Sequence, residues 1–452
     1  MAALSGCKPP SPTRRAFLKQ AALAAPWVIR ASALGAEGRP APSERVTTGC
    51  IGVGGRGTFN MASFLHTSQV LAVCDPQESR RDAARSNAER RYSDLMAKGT
   101  YKGCAAYSDF REVLARDDID AVAVCTPDHW HAVMCVEAAQ SGKDIFCEKP
   151  LSLTIAEGRA VCDAVARYGR VFQHGTQRRS EALFAFACEL VRNGRIGELQ
   201  AVRVVSEPSR TAPNDPPAPV PEGFDYDLWL GPAPYVPYSP RRVQAPNWYW
   251  IADYSIGFIA GQGVHFTDIA QWGMDADGTG PVEIEGRGEF PKDGLADTAV
   301  AWHVEMAYAN GLRLIYDGDK TLPMGVVFEG TEGKVNALNS GISTEPKSLM
   351  TAAIKPHEVM LRRPRWHIAD FIHCVKTRER TAAPAEAAHR ATSLCHLAHI
   401  ALLVGRKLRW DPAAERFVVG RPTRWDPTAE LLSDDTEANV YLSKALRAPW
   451  RV

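Results

Sequence analysis

A glycine-rich turn held between two apolar runs constrains this chain more than any other feature. Residues 46–53 read as a strand that runs into Gly52-Val53-Gly54-Gly55-Arg56-Gly57; a helix-like stretch follows, then a second strand at 69–74 that ends on Asp75. This is a G-x-G-x-x-G turn in the strand–turn–helix context that gives the pattern meaning, with an acid roughly 20 residues further on. Gly52 permits the tight turn, Gly54 lets the backbone approach a pyrophosphate, and Gly57 allows the helix to pack closely on the strand. The backbone N–H groups of Gly55 and Arg56 open the helix toward the anion. Asp75 is placed to hold the ribose hydroxyls of an adenosine. Because it would repel a 2′-phosphate, the expected cofactor is NAD rather than NADP.

The N-terminus carries an address. Thr13-Arg14-Arg15-Ala16-Phe17-Leu18-Lys19 is a twin-arginine pattern, an apolar stretch covers 21–29, and Ala31-Ser32-Ala33 offers a small-residue cleavage site. Residues 1–33 are therefore expected to be a signal peptide that directs export to the periplasm. The apolar stretch is too short, and too interrupted by Pro26, to span a bilayer. A route for folded proteins suits an enzyme that leaves with its nucleotide already seated, so a tightly retained cofactor is expected.

The 53 basic and 52 acidic residues nearly cancel, and no basic stripe with interleaved aromatics appears, which argues against nucleic acid as a partner. No later segment is long and apolar enough to cross a membrane. The eleven cysteines contain no C-x-x-C pair and no His/Cys ligand cluster. Cys50, Cys74, Cys125 and Cys147 sit in or beside expected core strands, where cysteine behaves as a small hydrophobe. No disulfide and no structural metal is expected.

Through 46–175 strands and helices alternate: strands at 69–74, 121–125, 144–147 and 171–173, helices at 79–98, 130–140 and 155–168. That alternation predicts a parallel α/β Rossmann domain whose ligands lie beyond the strand C-termini. Those ends carry Thr126-Pro127-Asp128-His129-Trp130-His131 and Glu148-Lys149-Pro150. Residues 176–385 change texture: a helix at 181–193, a strand at 200–205, a Pro-rich aromatic loop region at 207–250, then strand pairs at 300–308/312–316 and 324–329/333–338. Asn310-Gly311 predicts a type I′ hairpin turn. This half reads as an α+β domain with a mostly antiparallel, open-faced sheet. Helices at 366–376 and 385–404 follow, and 386–452 is expected to supply C-terminal helices that pack back on the core.

With Lys149 at a strand end and a mixed domain after it, the chain resembles the Gfo/Idh/MocA oxidoreductases, in particular their exported, twin-arginine branch. The resemblance rests on the glycine turn with Asp75, Cys125-Thr126-Pro127, Glu148-Lys149-Pro150, and Gly263-Val264-His265-Phe266-Thr267-Asp268 followed by Trp272. It implies NAD(P)-dependent chemistry on sugars or polyols, with Lys149 as catalytic lysine and His265 as active-site histidine. Histidine, with an ordinary pKa near ~6.5, can take a hydroxyl proton near neutrality. Lys149 can polarise the alcohol oxygen or join the proton relay. The family often carries an aspartate four residues before the histidine; here that position is Gly261.

The resemblance also implies that Thr126, Pro127, His131 and Glu148 contact nicotinamide or ribose; Gln177 and Arg178, just beyond the strand at 171–173, are placed to reach cofactor or substrate. Trp130 is read either as a wall of the nicotinamide pocket or as helix–sheet packing. The Trp248-Tyr249-Trp250 cluster either stacks on sugar rings or pins its loop, and Tyr249 and Gln262 complete the substrate candidates. The expected activity is oxidation or reduction of a hydroxyl or ketone on a sugar, glycoside or polyol. The alternatives are an NAD-dependent glycoside-cleaving enzyme working by oxidation and elimination, and a non-catalytic carbohydrate-binding protein with structural NAD. A homodimer or homotetramer is expected to form through the second-domain sheet.

Overall fold

The structure, a computed structural model, describes residues 45–420 and 433–452. The expected leader, residues 1–33, lies outside them. The first domain is a six-stranded sheet, β1 (Thr47–Ile51), β2 (Gln69–Cys74), β3 (Ala105–Tyr107), β4 (Ala121–Val124), β5 (Asp144–Cys147) and β6 (Phe172–His174), in the order β3-β2-β1-β4-β5-β6. Every neighbouring pair is parallel. Strand β4 and strand β5 are buried along their whole length, as the short Val/Ala and Ile/Phe runs require of strands covered on both faces. Chain order reverses between β1 and β4, which places the ligand crevice above those two strands.

Two expectations in this domain need correction. The single helix at 79–98 is two, Glu78–Arg91 and Ser93–Ala97, broken at Tyr92. The Tyr92 hydroxyl donates to the Leu65 and Ser68 carbonyls, so the ring is drawn into the core and the helix axis cannot continue through it. Strand β3 was not expected, being three half-buried residues without a readable period.

The second sheet has ten strands: β7 (Leu199–Ser206), β8 (Glu283–Glu289), β9 (Ala301–Ala307), β10 (Arg313–Gly318), β11 (Gly325–Gly330), β12 (Lys334–Leu338), β13 (Gly341–Glu345), β14 (Leu408–Asp411), β15 (Arg416–Val419) and β16 (Ser433–Asp434). Their order is β13-β12-β11-β7-β10-β9-β8-β14-β15-β16, antiparallel except where β7 meets β10. Helices Ala182–Arg192, Val264–Gly273 and Ala385–Val404 cover one face, and their apolar residues join the strands in one core. The other face is charged: Arg203 pairs with Asp317 at 2.6 Å, and His303 Nδ1 lies 2.6 Å from the same carboxylate. An antiparallel sheet can face water on such a side.

Three further expectations are overturned. The β9–β10 hairpin does not use a type I′ turn: Gly311 has φ +86° while Asn310 does not enter the left-handed region. Gly311 N donates to the Tyr308 carbonyl at 2.9 Å, giving a three-residue loop with one left-handed glycine. Residues 386–452 do not supply helices alone, because β14, β15 and β16 extend the second sheet. The boundary at 385 also divides the core wrongly. Helix His367–Thr377 turns Ile368, Phe371 and Ile372 against Phe64 and Phe146 of the first domain.

Among the described residues no helix is long and apolar enough to cross a membrane, and no cluster of three or more His, Cys, Asp or Glu is arranged to hold a metal. The ten cysteines described there are free thiols.

Candidate active site

The glycine turn forms one wall of a deep cleft. Gly52 has φ +77°, and a Cβ there would lie 2.7 Å from the Cys125 carbonyl oxygen. A Cβ on Gly57 would fall 1.8 Å from the Gly52 carbonyl oxygen, so only glycine lets helix Gly55–Thr67 sit down on the turn. A Cβ on Gly55 would meet nothing within 4 Å, since this residue faces the open groove. Asp75 is buried; its Oδ2 accepts from Val53 N at 3.1 Å and its Oδ1 from Gln77 N at 3.0 Å. Burial pushes its carboxyl above the usual range, against those two donors, Arg80 and Arg81. The close-approach glycines, the free helix N-terminus and the acid at the end of β2 fit the pyrophosphate and ribose of a dinucleotide.

The Pro-rich region is the other wall. Leu228, Trp229, Val243, Ala245, Trp248 and Tyr249 line the same cleft as Gly52, Gly54, Gly55, Arg56 and Asp75. It is pinned beside the acid: Glu78 N donates to the Gly223 carbonyl at 2.8 Å and Asp225 N to the Pro76 carbonyl at 3.0 Å. The chain end straps it from outside. Arg447 Nε donates to the Gly231 carbonyl at 2.8 Å, Lys444 pairs with Asp253 at 2.5 Å, and Trp450 packs on Trp130 at 4.6 Å. No local pattern in residues 207–250 marks them as this roof. Arg80 was also overlooked; its guanidinium would lie 3.2 Å from a Cβ at Gly54, over the turn.

At the far end of the cleft the loops after β4 and β5 meet the Val264–Gly273 helix. Glu148 is buried, with Oε1 accepting from Arg56 Nε at 2.8 Å and from Asn60 Nδ2 at 2.7 Å. Burial opposes its charge, but Arg56, Lys149 and these hydrogen bonds outweigh it and hold the carboxyl below its usual range. Lys149 Nζ donates to the Gly261 carbonyl at 2.5 Å and lies 5.6 Å from the centre of the Tyr249 ring. Burial drives its pKa down, against Glu148 and Asp128. The segment behind it is anchored by a capping box in which Thr154 Oγ1 accepts from Glu157 N and Glu157 returns the bond.

His265 is buried with Nδ1 unpartnered, and burial followed by Lys149 and Arg178 drives its pKa well down, so the imidazole is neutral. His265 and Gln177 are not among the cleft-lining residues; of the other buried polar atoms without partners, Thr126 Oγ1 belongs to a lining residue, while His174 lies within electrostatic reach of His265. Thr126 Oγ1, on a residue of the cleft wall, is thus available to a polar ligand.

Thr126, Pro127, Trp130, Glu148, Lys149 and Tyr249 line the cleft together with the turn. His131 does not. Its Nδ1 lies 2.6 Å from the Pro150 carbonyl and its Nε2 3.0 Å from the Thr126 carbonyl, so it ties the two loops together from behind and has no nitrogen left for a cofactor. Trp130 both lines the cleft and packs, donating from its indole to the Trp229 carbonyl at 3.1 Å. The aromatic cluster divides: Trp250 is core, while Trp248 and Tyr249 stack on each other at 3.7 Å along the cleft. Arg178 lies across Phe266 at 4.8 Å and bonds Asn339; Gln262 is half-buried, and neither is among the cleft-lining residues. Asp268 accepts from Arg179 Nε at 2.9 Å in a buried pair, away from any proton relay.

Residues 46–176 match the oxidoreductase family's NAD-binding Rossmann fold, and residues 211–421 match its C-terminal alpha/beta domain. The chain belongs to the Gfo/Idh/MocA oxidoreductase family, and its first domain is an NAD-binding Rossmann domain. It is similar to the uncharacterized oxidoreductase YrbE of Bacillus subtilis, 27% identical over 335 residues, covering 71% of this chain and 82% of that one. The alpha-N-acetylgalactosaminidase of Shewanella oneidensis is 33% identical over 161 residues, but the match covers only 34% of each chain. Among solved structures, the WlbA dehydrogenase of Bordetella pertussis in complex with NADH and UDP-GlcNAcA superposes with a TM-score of 0.58 at 14% identity, covering 81% of this chain and 99% of that one. A putative myo-inositol dehydrogenase of Sinorhizobium meliloti gives a TM-score of 0.53 at 22% identity, over 80% and 99%. At these identities the superpositions carry the fold alone.

Proposed function

We propose that this protein oxidises a secondary hydroxyl, or reduces the matching ketone, on a sugar, glycoside or polyol, with NAD retained between turnovers. The observation that carries the reading is the junction of the dinucleotide cradle with Thr126, Lys149 and Tyr249 in one crevice, with His265 within electrostatic reach of Lys149. Bound NAD supplies the hydride acceptor. Lys149 polarises the substrate oxygen from the end of β5, and the neutral His265 imidazole is the base that takes the hydroxyl proton. Thr126 supplies hydrogen-bonding capacity in the cleft wall that a polyhydroxylated substrate can fill. The roof supports cofactor retention, since a dinucleotide in the groove would lie beneath residues pinned at both Glu78 and Arg447.

The deciding experiment is to purify the protein, denature it, and quantify the released nucleotide. Sugars and polyols are then screened by absorbance of the bound nicotinamide in a single turnover. Stoichiometric NAD reduced by a sugar fits; loosely bound NAD removes the retention claim, and NAD that never changes redox state points to a structural cofactor. Similarity to the Shewanella enzyme favours a second reading, glycoside cleavage through transient oxidation and elimination. It predicts cleavage without accumulated NADH and with solvent deuterium entering the sugar ring.

Export through the twin-arginine route and assembly into a dimer or tetramer through the charged sheet face belong to the same proposal. Cell fractionation of wild type and an Arg14→Lys/Arg15→Lys variant tests the first. Light scattering across a salt series tests the second, because an interface built on the Arg203–Asp317 ladder would weaken as salt rises.

A further inference from the structure

We propose that Asn60, assisted by Arg56, is a positioning residue for Lys149: it fixes the Glu148 carboxylate, so that the helix facing the dinucleotide sets where the lysine stands. The inference rests on the functional reading above for its catalytic meaning, but not for the placement itself.

Helix Gly55–Thr67 opens on the glycine turn, and its first N–H groups are the ones a pyrophosphate would meet. Arg56 and Asn60 stand four residues apart on it and so share one face. Both donate to one oxygen that lies 88 residues beyond Asn60 in the chain: Glu148 Oε1 accepts from Arg56 Nε at 2.8 Å and from Asn60 Nδ2 at 2.7 Å. The other oxygen, Oε2, accepts from the Lys149 backbone N–H at 3.2 Å. The carboxylate is therefore a joint between the cofactor helix and the main chain of the lysine.

That joint has little play. Asn60 is 2% exposed, and its amide nitrogen also lies 3.5 Å from Cys125 Sγ. Both of its N–H groups are thus spent on the residues that follow β4 and β5. On the far side, a Cβ at Gly175 would lie 3.0 Å from the Glu148 Cα, Cδ and Oε2, so the loop after β6 closes directly on the carboxyl group. Gly175 N holds that loop down by donating to the Cys147 carbonyl at 2.7 Å.

A buried ion pair is a weak source of stability, because apolar groups of similar volume often serve as well. Here Arg56 is 43% exposed and lines the cleft with Glu148 and Lys149, so the network borders the reacting groups. Asn60 does not line the cleft, and it acts through Glu148 alone. What the network contributes is the place of the Lys149 backbone relative to the glycine turn, from which Nζ reaches across to the Gly261 carbonyl.

The test uses the NAD-loaded full chain and reads Lys149 directly. Reductive methylation with carbon-13 formaldehyde gives a Lys149 signal by NMR, assigned with a Lys149→Arg variant. Asn60→Leu keeps the volume and removes the donors. It is expected to move the Lys149 signal toward those of the surface lysines. Single-turnover reduction of the bound nicotinamide is expected to slow roughly 10- to 100-fold, the scale of a misplaced reacting group, with NAD content unchanged. In a cycle with Glu148→Gln, the double variant is expected to cost no more than the larger single one, since both act along one path. An unmoved Lys149 signal in Asn60→Leu overturns the inference, whatever the activity or melting temperature. Independent, additive effects in the cycle overturn it too, as does loss of NAD from Asn60→Leu. A moved signal in a protein whose nicotinamide no sugar reduces, wild type included, upholds the placement and sinks the functional reading instead. Should Asn60→Leu not fold, Arg56→Ala removes the partly exposed donor and is expected to move the signal by a smaller amount; no movement overturns the inference there as well.

Discussion

The two ends of the cleft are built on opposite plans. At the adenosine end the buried acid is already satisfied, with both oxygens of Asp75 accepting backbone N–H groups, and there is no space for a Cβ at Gly52 or Gly57. At the other end the hydroxyl of the cleft-lining Thr126 is left open, and His265 Nδ1 is buried without a partner. A ligand that never changes is met by backbone, whose geometry costs little to organise. A ligand that reacts and leaves is met by side chains whose desolvation is made good only when it arrives.

The largest effect expected is on the reactive end alone. Lys149→Ala should slow reduction of the bound nicotinamide by about 10³-fold, within the range for loss of a proton-handling group, while the protein still carries stoichiometric NAD. Loss of NAD from that variant would blur the division between the two ends. The converse change is Gly57→Ala. A methyl 1.8 Å from the Gly52 carbonyl forces the helix off the turn. Overpacking of this kind costs about 1–3 kcal/mol, and it should appear as a lower melting temperature and a lower NAD content, with activity per bound NAD nearly intact.

Acidity acts on the buried groups with both signs. His129 is driven down to about 4 by burial, and His174 and His265 well below their ordinary value for the same reason. Buried neutral histidines bind fewer protons folded than unfolded, so the stability they allow is complete above the unfolded value of ~6.5 and is lost as pH falls through the window down to about 4. Each contributes a slope of up to about 1.4 kcal/mol per pH unit. Asp75, raised by burial, acts the other way: the folded state holds its proton more tightly, so its contribution declines as pH rises above the ordinary carboxylate range. Melting temperatures from pH 7.5 to 4.5 should therefore fall steeply for wild type and less steeply for His129→Gln. An identical slope would remove His129 from the account.

The smallest effect concerns the roof. Arg447→Ala removes the bond to the Gly231 carbonyl and the partly exposed pair with Asp227. Pairs of that kind contribute about 0.5 kcal/mol, so NAD release should accelerate roughly twofold with turnover unchanged.

How much of this could be read in advance follows from how the parts are encoded. The cradle was legible because its glycines, its flanking strands and Asp75 lie within one strand–turn–helix–strand unit, and each residue type answers a local demand. Helix Ala385–Val404 was legible to its last residue, with Pro384 before it and left-handed Gly405 closing it. Strand β3 was not, since three half-buried residues carry no period. Nor was the hairpin turn, where the same Asn-Gly pair serves a three-residue loop as well as a two-residue one. His131 was misjudged for a deeper reason. A histidine after a cofactor loop reads the same whether its ring faces the cleft or the carbonyls behind it.

Residue types and their local spacing were enough to establish the dinucleotide fold and its cofactor, because backbone conformation and charge at those positions act over a few residues. Packing decided the rest. That Gly261 contributes a carbonyl to Lys149, that Tyr249 crowds the space beside it, and that residues 207–250 roof the groove are all relations between segments distant in the chain. Such relations depend on which atoms lose their water together, and only the folded chain brings them to that point.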